Sequence, residues 1–572
     1  MISAERAAAS RDRQRDDAVR GGMAMRWALA VALAGGLALA AAFPPAGIWP
    51  LAAAGPALLV IALQGRSLRG SLVTGLVFGL AFFLPLLSWV LNVAWYAWAA
   101  LAVASAVIFA VLTIAQRLLL TLPGWPLAVA GWWVAAEGLR DRWPWGGFPW
   151  GRLAMSQAGS PAAGWAAVGG APLLTFLVAL TGAVLAWLLT EAAPRLAASF
   201  RYGQRPGPPG GTGPVPPAAG ARGTPAAAAF PRLLRRAAPA LAFAATAGLA
   251  ASGAALPAGP PAGSPTVTVA AIQGNVPHAR NLPQLLNDTV VTRNHAAATR
   301  ELAAQVRAGR RPAPGLVIWP ENSTDLDPFE YPAIYATVAG AVRAIGRPVL
   351  VGEVLYHPVR NVGQLWLPGR GPAAMYVKRK LVPFGEYIPL RGLLSHITSL
   401  TALQPVNFTP GHRAVVFRTG KVRLGDVICY EVGFDSLVRS EVTAGANLLA
   451  VQSNDADFEM DGQRGETEQQ VAMARIRAIE SDRSVVYAST TGESAIITPD
   501  GKVISRSGLW RRAVLEARVP LVTGRTLADE VGPWPEYVII ALTAAALLLA
   551  ASREARRAAL RRPRGTDAVT GA

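Results

Sequence analysis

The sequence predicts a polytopic α-helical membrane protein with an α/β domain attached to it. Hydrophobic residues make up 52% of the 572 residues, and they are concentrated in long blocks without a charged side chain. Arginines lie beside these blocks, and residues 265–525 alternate short β-rich runs with helical patterns. The chain therefore divides into a membrane-embedded part and a folded domain outside the bilayer.

The apolar blocks are too long and too uniform for soluble helices, which carry polar residues on their wet face at every turn or so. One bilayer crossing needs about 20 apolar residues, so the longest blocks hold two crossings each. Pro44-Pro45 divides the first block and Asn92 divides the second. We expect about eight spans. Seven lie within 27–257, at 27–43, 48–64, two within 70–116, 118–136, 164–189 and 238–257, and the eighth is 534–552.

The segments between and beyond the spans are rich in arginine, which membrane proteins concentrate in short cytoplasmic loops. We therefore place three segments in the cytoplasm: the N-terminal tail 1–26, a disordered Pro/Gly-rich linker at 203–230 and the basic tail 553–572. With eight spans, residues 258–533 then face away from the cytoplasm. Localisation in the plasma membrane as a multi-pass protein follows from this pattern.

The formal net charge of +19 does not indicate a nucleic-acid partner, because the arginines adjoin apolar blocks and no basic face is interleaved with aromatic residues.

Cys429 is the only cysteine, so an intrachain disulfide is excluded. The five histidines lack the spacing of metal ligands. We expect neither a metal nor another cofactor.

Residues 265–525 carry the signals of an α/β domain. Helical patterns cover 331–345 and 466–482, and a Pro-Asp-Gly turn at 499–501 joins two late strands. The β-rich runs are TVTVAAIQG, GLVIWPE, RPVLVGEVLY, AAMYVKRKLV, VRLGDVICYE, ANLLAVQSND and SVVYAST.

Three predicted strands end in residues with catalytic chemistry, Glu321, Lys378 and Cys429. Catalytic groups collect where the strands of α/β sheets end, and this set suits acyl transfer. The thiol attacks, the carboxylate takes its proton, and the ammonium stabilises the oxyanion. Each residue also has a structural interpretation, as a core cysteine, a surface or capping acid and a solvated lysine, so spacing alone leaves both open.

The strings that contain these residues, WPE, YVKRKLVPFGEY and CYE, resemble the Glu-Lys-Cys set of the nitrilase (carbon–nitrogen hydrolase) superfamily. Together with the membrane spans, LVPFGEY is most similar to the apolipoprotein N-acyltransferase family. The likeness extends over nearly the whole chain, through GFPW at 147–150, QGN at 273–275, SNDA at 453–456 and TTGES at 490–494. It implies a four-layer α-β-β-α sandwich on an eight-helix membrane base.

The resemblance implies that Glu321 is the general base, Lys378 the oxyanion stabiliser and Cys429 the nucleophile. It assigns supporting roles at the site to three further residues: Glu386, Tyr430 and Glu431. Two departures affect the surroundings of the site. Asp457 replaces a tryptophan that commonly follows SNDA, and HARNLPQ at 278–284 replaces a Lys-Trp pair.

The activity implied by the resemblance has two halves, with a thioester on Cys429 between them. A phospholipid donates an acyl chain, and the α-amine of the diacylglyceryl-cysteine of a bacterial apolipoprotein accepts it. The partners are thus membrane lipid and lipoproteins, with the catalytic domain on the outer face of the membrane. One alternative is a membrane-tethered amidase that uses water as acceptor, and another is a non-enzymatic transporter or scaffold.

Overall fold

A computed structural model describes most of the chain: residues 23–192, 225–256, 259–276, 289–459 and 462–560. Most of the predicted N-terminal tail lies outside these ranges. So do residues 203–224 of the predicted linker, the HARNLPQ segment at 278–284 and the end of the basic tail.

Membrane-type helices occur at the predicted positions. They are α1 Met25–Ala42, α2 Leu51–Leu63, α3 Leu68–Leu86, α4 Trp95–Leu119, α5 Trp125–Arg140, α6 Ala166–Trp187, α7 Pro225–Ala251 and α14 Trp534–Leu560. Within the described ranges, six helices are long and apolar enough to cross a membrane. Two predicted spans are shorter, since α2 has 13 residues and α5 has 16. The structure therefore agrees with a polytopic membrane protein, while the number of crossings remains a prediction.

Three helix boundaries differ from the sequence prediction for local reasons. Helix α4 continues to Leu119, so Arg117 lies in its last turn, and α5 begins only at Trp125 after the Pro123-Gly124 turn. Helix α7 begins at Pro225, inside the predicted linker. Proline is favoured in the first helical turn and the alanines after it favour helix.

Glycines let the membrane helices approach closely, as is typical of helix contacts in bilayers. A Cβ on Gly36 of α1 would lie 2.4 Å from the carbonyl oxygen of Phe78 in α3, and one on Gly182 of α6 would lie 2.4 Å from that of Ala53 in α2. The helices therefore form a tightly packed base.

The α/β domain contains two six-stranded sheets, ordered β12-β1-β2-β3-β4-β5 and β11-β10-β9-β8-β7-β6. Within each sheet the three central strands are parallel and the outer strands are antiparallel. The strands are β1 Thr266–Gln273, β2 Leu316–Ile318, β3 Val349–Tyr356, β4 Val359–Leu367, β5 Gly371–Val377, β6 Val416–Thr419, β7 Val422–Ile428, β8 Leu448–Ser453, β9 Val485–Ser489, β10 Ala495–Ile497, β11 Val503–Arg506 and β12 Ala513–Pro520.

Helices cover the outer face of each sheet. Helices α8 (Val290–Arg307) and α9 (Pro332–Ile345) pack on the first sheet, where they share a core with Val317, Val349 and Trp366. Helices α11 (Asp435–Thr443) and α12 (Gly465–Ser481) pack on the second. The short helices α10 (Arg391–Ile397) and α13 (Leu527–Val531) lie in connections. The predicted α-β-β-α sandwich is confirmed, as is the turn between β10 and β11.

The sandwich rests on the membrane helices through the α11 and α12 layer. Gln469 of α12 donates to the carbonyl oxygens of Pro44 and Leu86, at 3.1 Å each. Asp435 of α11 accepts from Arg152, which follows α5, at 2.7 and 3.0 Å, and also pairs with Arg477 of α12. Because these contacts are buried and directional, they fix how the domain sits on the helices.

Asp435→Ala should destabilise the protein, because it removes a carboxylate that serves two buried guanidinium groups, those of Arg152 and Arg477. Breaking such a pair costs roughly 3 kcal/mol. Burial opposes ionisation, but these arginines hold the pKa of Asp435 below its ordinary value. The stabilisation is therefore present at neutral pH and is lost as the pH falls into the acid range.

Thermal unfolding of the detergent-solubilised full chain measures this effect. The control is Arg512→Ala, which removes an exposed pair with Glu301 and should change stability by less than about 1 kcal/mol. Equal melting temperatures for the two variants would contradict the structural role of Asp435.

Candidate functional site

The three catalytic candidates meet at one edge of the sandwich because each follows the end of a strand. Glu321 comes shortly after β2, Lys378 directly follows β5, and Cys429 directly follows β7. The first two belong to one sheet and Cys429 to the other, so the facing sheets bring them together. All three are buried, with exposed fractions of 4%, 1% and 9%.

Lys378 lies between two carboxylates. Its Nζ is 2.9 Å from Oε1 of Glu321 and 3.0 Å from Oε1 of Glu386. Burial disfavours the ammonium, but these carboxylates outweigh it and raise the pKa of Lys378 well above its ordinary value. Burial, assisted by Glu386 and opposed by Lys378, raises the pKa of Glu321. A fixed positive charge thus lies beside a carboxylate that is a better base than an exposed one.

Two asparagines complete the surroundings of Glu321. Asn361 Nδ2 donates to Oε1 of both Glu321 and Glu386, at 2.6 and 2.8 Å. The backbone N–H of Asn454 donates to Oε2 of Glu321 at 2.9 Å. Sequence analysis missed Asn361, because only the pairing of β4 with β5 places it beside Lys378, whose N–H donates to its carbonyl oxygen at 2.9 Å. Asn454 lies in the SNDA string, which is the signal that could have found it.

Cys429 adopts a left-handed backbone conformation, with φ of +53°. It opens the 3₁₀ turn Cys429–Gly433 directly after β7. Such a conformation is uncommon for a residue with a side chain and is found at functional turns. Burial and the nearby Glu321 carboxylate raise the pKa of the thiol well above its ordinary value, while Lys378 lowers it. The thiol therefore requires a base when it reacts.

Glu431 joins the end of β5 to the turn that carries Cys429. Its carboxylate accepts from the backbone N–H groups of Ile428, Arg379 and Lys380 at 2.8, 2.6 and 2.9 Å, and from the Tyr376 hydroxyl at 2.7 Å. It thus links the backbone next to Lys378 in one sheet to the backbone next to Cys429 in the other.

Tyr430 connects the site to the membrane base. Its hydroxyl donates to the carbonyl oxygen of Gly147 at 2.6 Å, and its ring stacks on Trp150 with centroids 5.7 Å apart. Both partners belong to the GFPW segment after α5. The side chain next to Cys429 is therefore packed against a loop of the membrane helices.

One group of acidic residues near the thiol resembles a cation site within the described ranges. Asp455, Glu459 and Glu466 are buried, and each places one carboxylate oxygen within 4.8 Å of the others. Protein donors already serve two of them, since Asp455 accepts from hydroxyl groups and Glu466 accepts from the Gln470 amide. We assign no cation to this group.

Taken together, the edge of the sandwich presents a thiol, a carboxylate and an ammonium as one buried group. Glu386 and Asn361 hold the base and the ammonium, and Glu431 holds the turn of the thiol. This arrangement can form and break an acyl–sulfur bond, with proton transfer by the carboxylate and stabilisation of the oxyanion by the ammonium.

Comparison with known proteins places the chain among relatives of the same layout. The family model of the apolipoprotein N-acyltransferase N-terminal domain matches residues 35–184, and the carbon-nitrogen hydrolase model matches residues 356–529. Among solved structures, the Nesterenkonia AN1 amidase from the nitrilase superfamily is similar, with 17% identity and a TM-score of 0.35 over 48% of this chain and 97% of its own.

Relatives of known name span most of the chain. An apolipoprotein N-acyltransferase of Mycolicibacterium smegmatis is 38% identical over 91% of this chain and 85% of its own length. That of Azotobacter vinelandii is 31% identical over 92% of this chain and 96% of its own. Identities above 30% over most of both lengths show that the chain belongs to the apolipoprotein N-acyltransferase family.

Proposed function

We propose that this protein transfers an acyl chain from a membrane phospholipid to the α-amine of the diacylglyceryl-cysteine of apolipoproteins. The observation that carries the proposal is the buried Lys378–Glu321 pair beside Cys429, held at the junction of the sandwich with the membrane helices. The membership of the family supports acyl transfer over the amidase alternative, and likewise over a non-enzymatic transporter or scaffold.

In the first half-reaction, Cys429 Sγ attacks the ester carbonyl carbon of the phospholipid while Glu321 takes the thiol proton. Lys378 stabilises the negative oxygen of the tetrahedral intermediate. The intermediate then collapses and the carbon–oxygen bond breaks. Glu321 returns its proton to the departing alkoxide, which leaves as the lysophospholipid, and a thioester remains on Cys429.

In the second half-reaction, the α-amine of the lipoprotein attacks the thioester carbonyl carbon. Glu321 accepts a proton from the amine nitrogen, and Lys378 again stabilises the oxyanion. The carbon–sulfur bond breaks, an amide forms, and the proton held by Glu321 restores the Cys429 thiol. One set of groups serves both halves, and the chemistry is complete with the chain's own residues.

Exposed aromatic side chains at the junction support the use of lipid substrates. Trp143, Trp145 and Phe384 are 57%, 49% and 50% exposed. Trp145 contacts Phe384 edge-on at 5.5 Å, and its carbonyl oxygen accepts from Tyr387, a residue of the LVPFGEY segment that also contains Glu386. Aromatic residues are enriched at membrane interfaces, so lipid-anchored substrates can approach the site from the bilayer.

We place the catalytic domain on the outer face of the bacterial plasma membrane. The arginine distribution over the short loops supports this orientation. Arg117 of α4 pairs with Glu554 of α14, whereas Arg142 after α5 pairs with Glu536 at the opposite end of α14. In the proposed topology the first pair lies on the cytoplasmic side and the second lies beneath the catalytic domain.

Asn361→Leu should lower the rate of acyl transfer by about 100-fold, since two carboxylates lose a donor and each such bond to a charged group contributes about 1.5 kcal/mol or more. The measurement is kcat per folded protein. Asn447→Leu is the control, because Asn447 is also buried but bonds only the backbone near Lys421 and Arg423. Similar kcat values for both variants would remove Asn361 from the site.

Enzyme given phospholipid without an acceptor should accumulate one acyl group on Cys429, because both substrates are bulky and anchored and should occupy one pocket in turn. Intact-mass analysis should show the added acyl group, and neutral hydroxylamine should remove it. Cys429→Ser should lack the hydroxylamine-labile adduct, and Glu321→Gln should form it more slowly. Full acyl transfer by Cys429→Ala would overturn the assignment of the nucleophile.

The function as a whole is tested by mass spectrometry of a lipoprotein N-terminus from cells with and without this protein. We expect the mass of one acyl chain to be lost in its absence, with the diacylglyceryl group retained. An unchanged N-terminal mass would refute the proposed acceptor, even if the thioester on Cys429 were observed.

A further inference from the structure

A buried amide lies beside the Cys429 thiol and has no role in the two half-reactions described above. Gln470 of α12 is fully buried, and its Nε2 lies 3.6 Å from Sγ of Cys429. The same nitrogen donates to Oε1 of Glu466, one turn earlier on the helix. Both N–H bonds of the amide therefore have acceptors, and one of them is the sulfur.

The thiolate form of Cys429 decides the orientation of this amide. The oxygen of Gln470 is 3.4 Å from the hydroxyl groups of Ser453 and Tyr487, which also contact Asp455. The nitrogen faces Oε1 of Glu466 and the sulfur. We assign the nitrogen to the sulfur side, because a thiolate can only accept and a flipped amide would turn its oxygen towards it.

Glu466 is itself held by a second buried acid. One of its carboxylate oxygens lies within 4.8 Å of an oxygen of Asp455, and two buried carboxylates this close cannot both be ionised. Asp455 accepts from Ser489 at 2.6 Å and from Thr467 and Tyr487 at 3.2 Å. Burial raises the pKa of both acids. The donors to Asp455 oppose this rise, whereas Asp455 and Glu459 add to it at Glu466, whose pKa lies well above its ordinary value.

Glu466 is therefore the member of this pair that holds a proton more readily. Its protonated oxygen can donate to Asp455, and its carbonyl oxygen accepts from Gln470. The charge of Glu466 matters for Cys429. An ionised Glu466 would oppose formation of a thiolate there, whereas a neutral Glu466 can orient the Gln470 N–H group and does not repel the thiolate.

We propose that Gln470 is a catalytic residue that donates a hydrogen bond to the sulfur of Cys429, and that Glu466 is the positioning residue that orients it. The proposal rests on the proposed function in one respect, namely that Cys429 is the nucleophile. The amide would stabilise the thiolate twice, when the thiol is deprotonated and when the sulfur leaves the thioester.

The charges around the sulfur explain why a neutral donor is useful there. Glu321 and Lys378 face it from the first sheet, and Glu466 and Asp455 face it from the second sheet and α12. Tyr487 of β9 and Glu459, the third member of the acid group, are further titratable groups on that side, and Tyr430 adjoins the thiol in the chain. A second cation would compete with Lys378 for Glu321, whereas an amide stabilises the anion without changing the net charge.

The test titrates Cys429 directly in the full chain in detergent, without any lipid substrate. Because the chain has one cysteine, the rate of alkylation by iodoacetamide reports this thiol alone. Gln470→Met preserves the shape and removes the donor, so the midpoint of the rate-against-pH curve should rise by about one pH unit. The matched control is Gln469→Met, which is adjacent and buried but bonds Pro44 and Leu86 instead; its midpoint should stay within ~0.3 units.

Variants of Glu466 test the positioning role. Glu466→Gln can accept from Gln470 and donate to Asp455, so it should keep the wild-type midpoint. Glu466→Met removes the acceptor and should raise the midpoint as Gln470→Met does. Should Gln470→Met not fold, Gln470→Asn withdraws the same amide from the sulfur and should also raise the midpoint.

A curve for a folded Gln470 variant that coincides with the wild-type curve would overturn the proposal, as would an equal shift in Gln469→Met. A shifted midpoint in Glu466→Gln would overturn the positioning role. Because no lipid is present, these outcomes are separate from the function test. An unchanged lipoprotein mass in cells that lack the protein would refute the proposed function and leave the titration result intact.

Discussion

The buried ammonium of Lys378 is the constraint on which the rest of the site depends. Removing a charge from water is costly unless partners of opposite charge and good geometry surround it. Glu321 and Glu386 provide these partners at 2.9 and 3.0 Å. Two carboxylates then face one ammonium, so they require a further donor, and Asn361 supplies it to both. The base, the ammonium and their supports are therefore one unit rather than separate residues.

This unit constrains the two sheets as well. Lys378 belongs to the first sheet and the nucleophile to the second, so the site exists only while the sheets keep their register. Glu431 maintains that register, because one carboxylate accepts from the backbone on both sides, at Arg379 and at Ile428. The left-handed turn at Cys429 is then tolerated because the surrounding hydrogen bonds hold it.

The sequence predicted the architecture and three candidate site residues but missed part of the network around them. Apolar blocks and β-rich runs depend on local pattern, so the membrane helices, an α/β domain and the turn at 499–501 were predicted, whereas the two-sheet sandwich was implied by the family resemblance. Glu321, Lys378 and Cys429 were selected as candidates because they end strands within recognisable strings. Asn361 lies within a strand, and Gln470 lies within a helix between Gln469 and Val471. Their proximity to the site arises from strand pairing and helix packing, which no local pattern encodes.

Helix α12 links the chemistry to the membrane. Its neighbouring glutamines point in different directions, Gln470 to the sulfur of Cys429 and Gln469 to carbonyl oxygens of the membrane helices. Arg477, further along the helix, pairs with Asp435, which also accepts from Arg152 after α5. Successive side chains of a helix diverge by about 100°, so one rigid element can contact Cys429 and the membrane base at once. The position of the thiol relative to the bilayer is thus set by packing within a single helical layer, which suits the proposed reaction, in which both substrates are anchored in lipid.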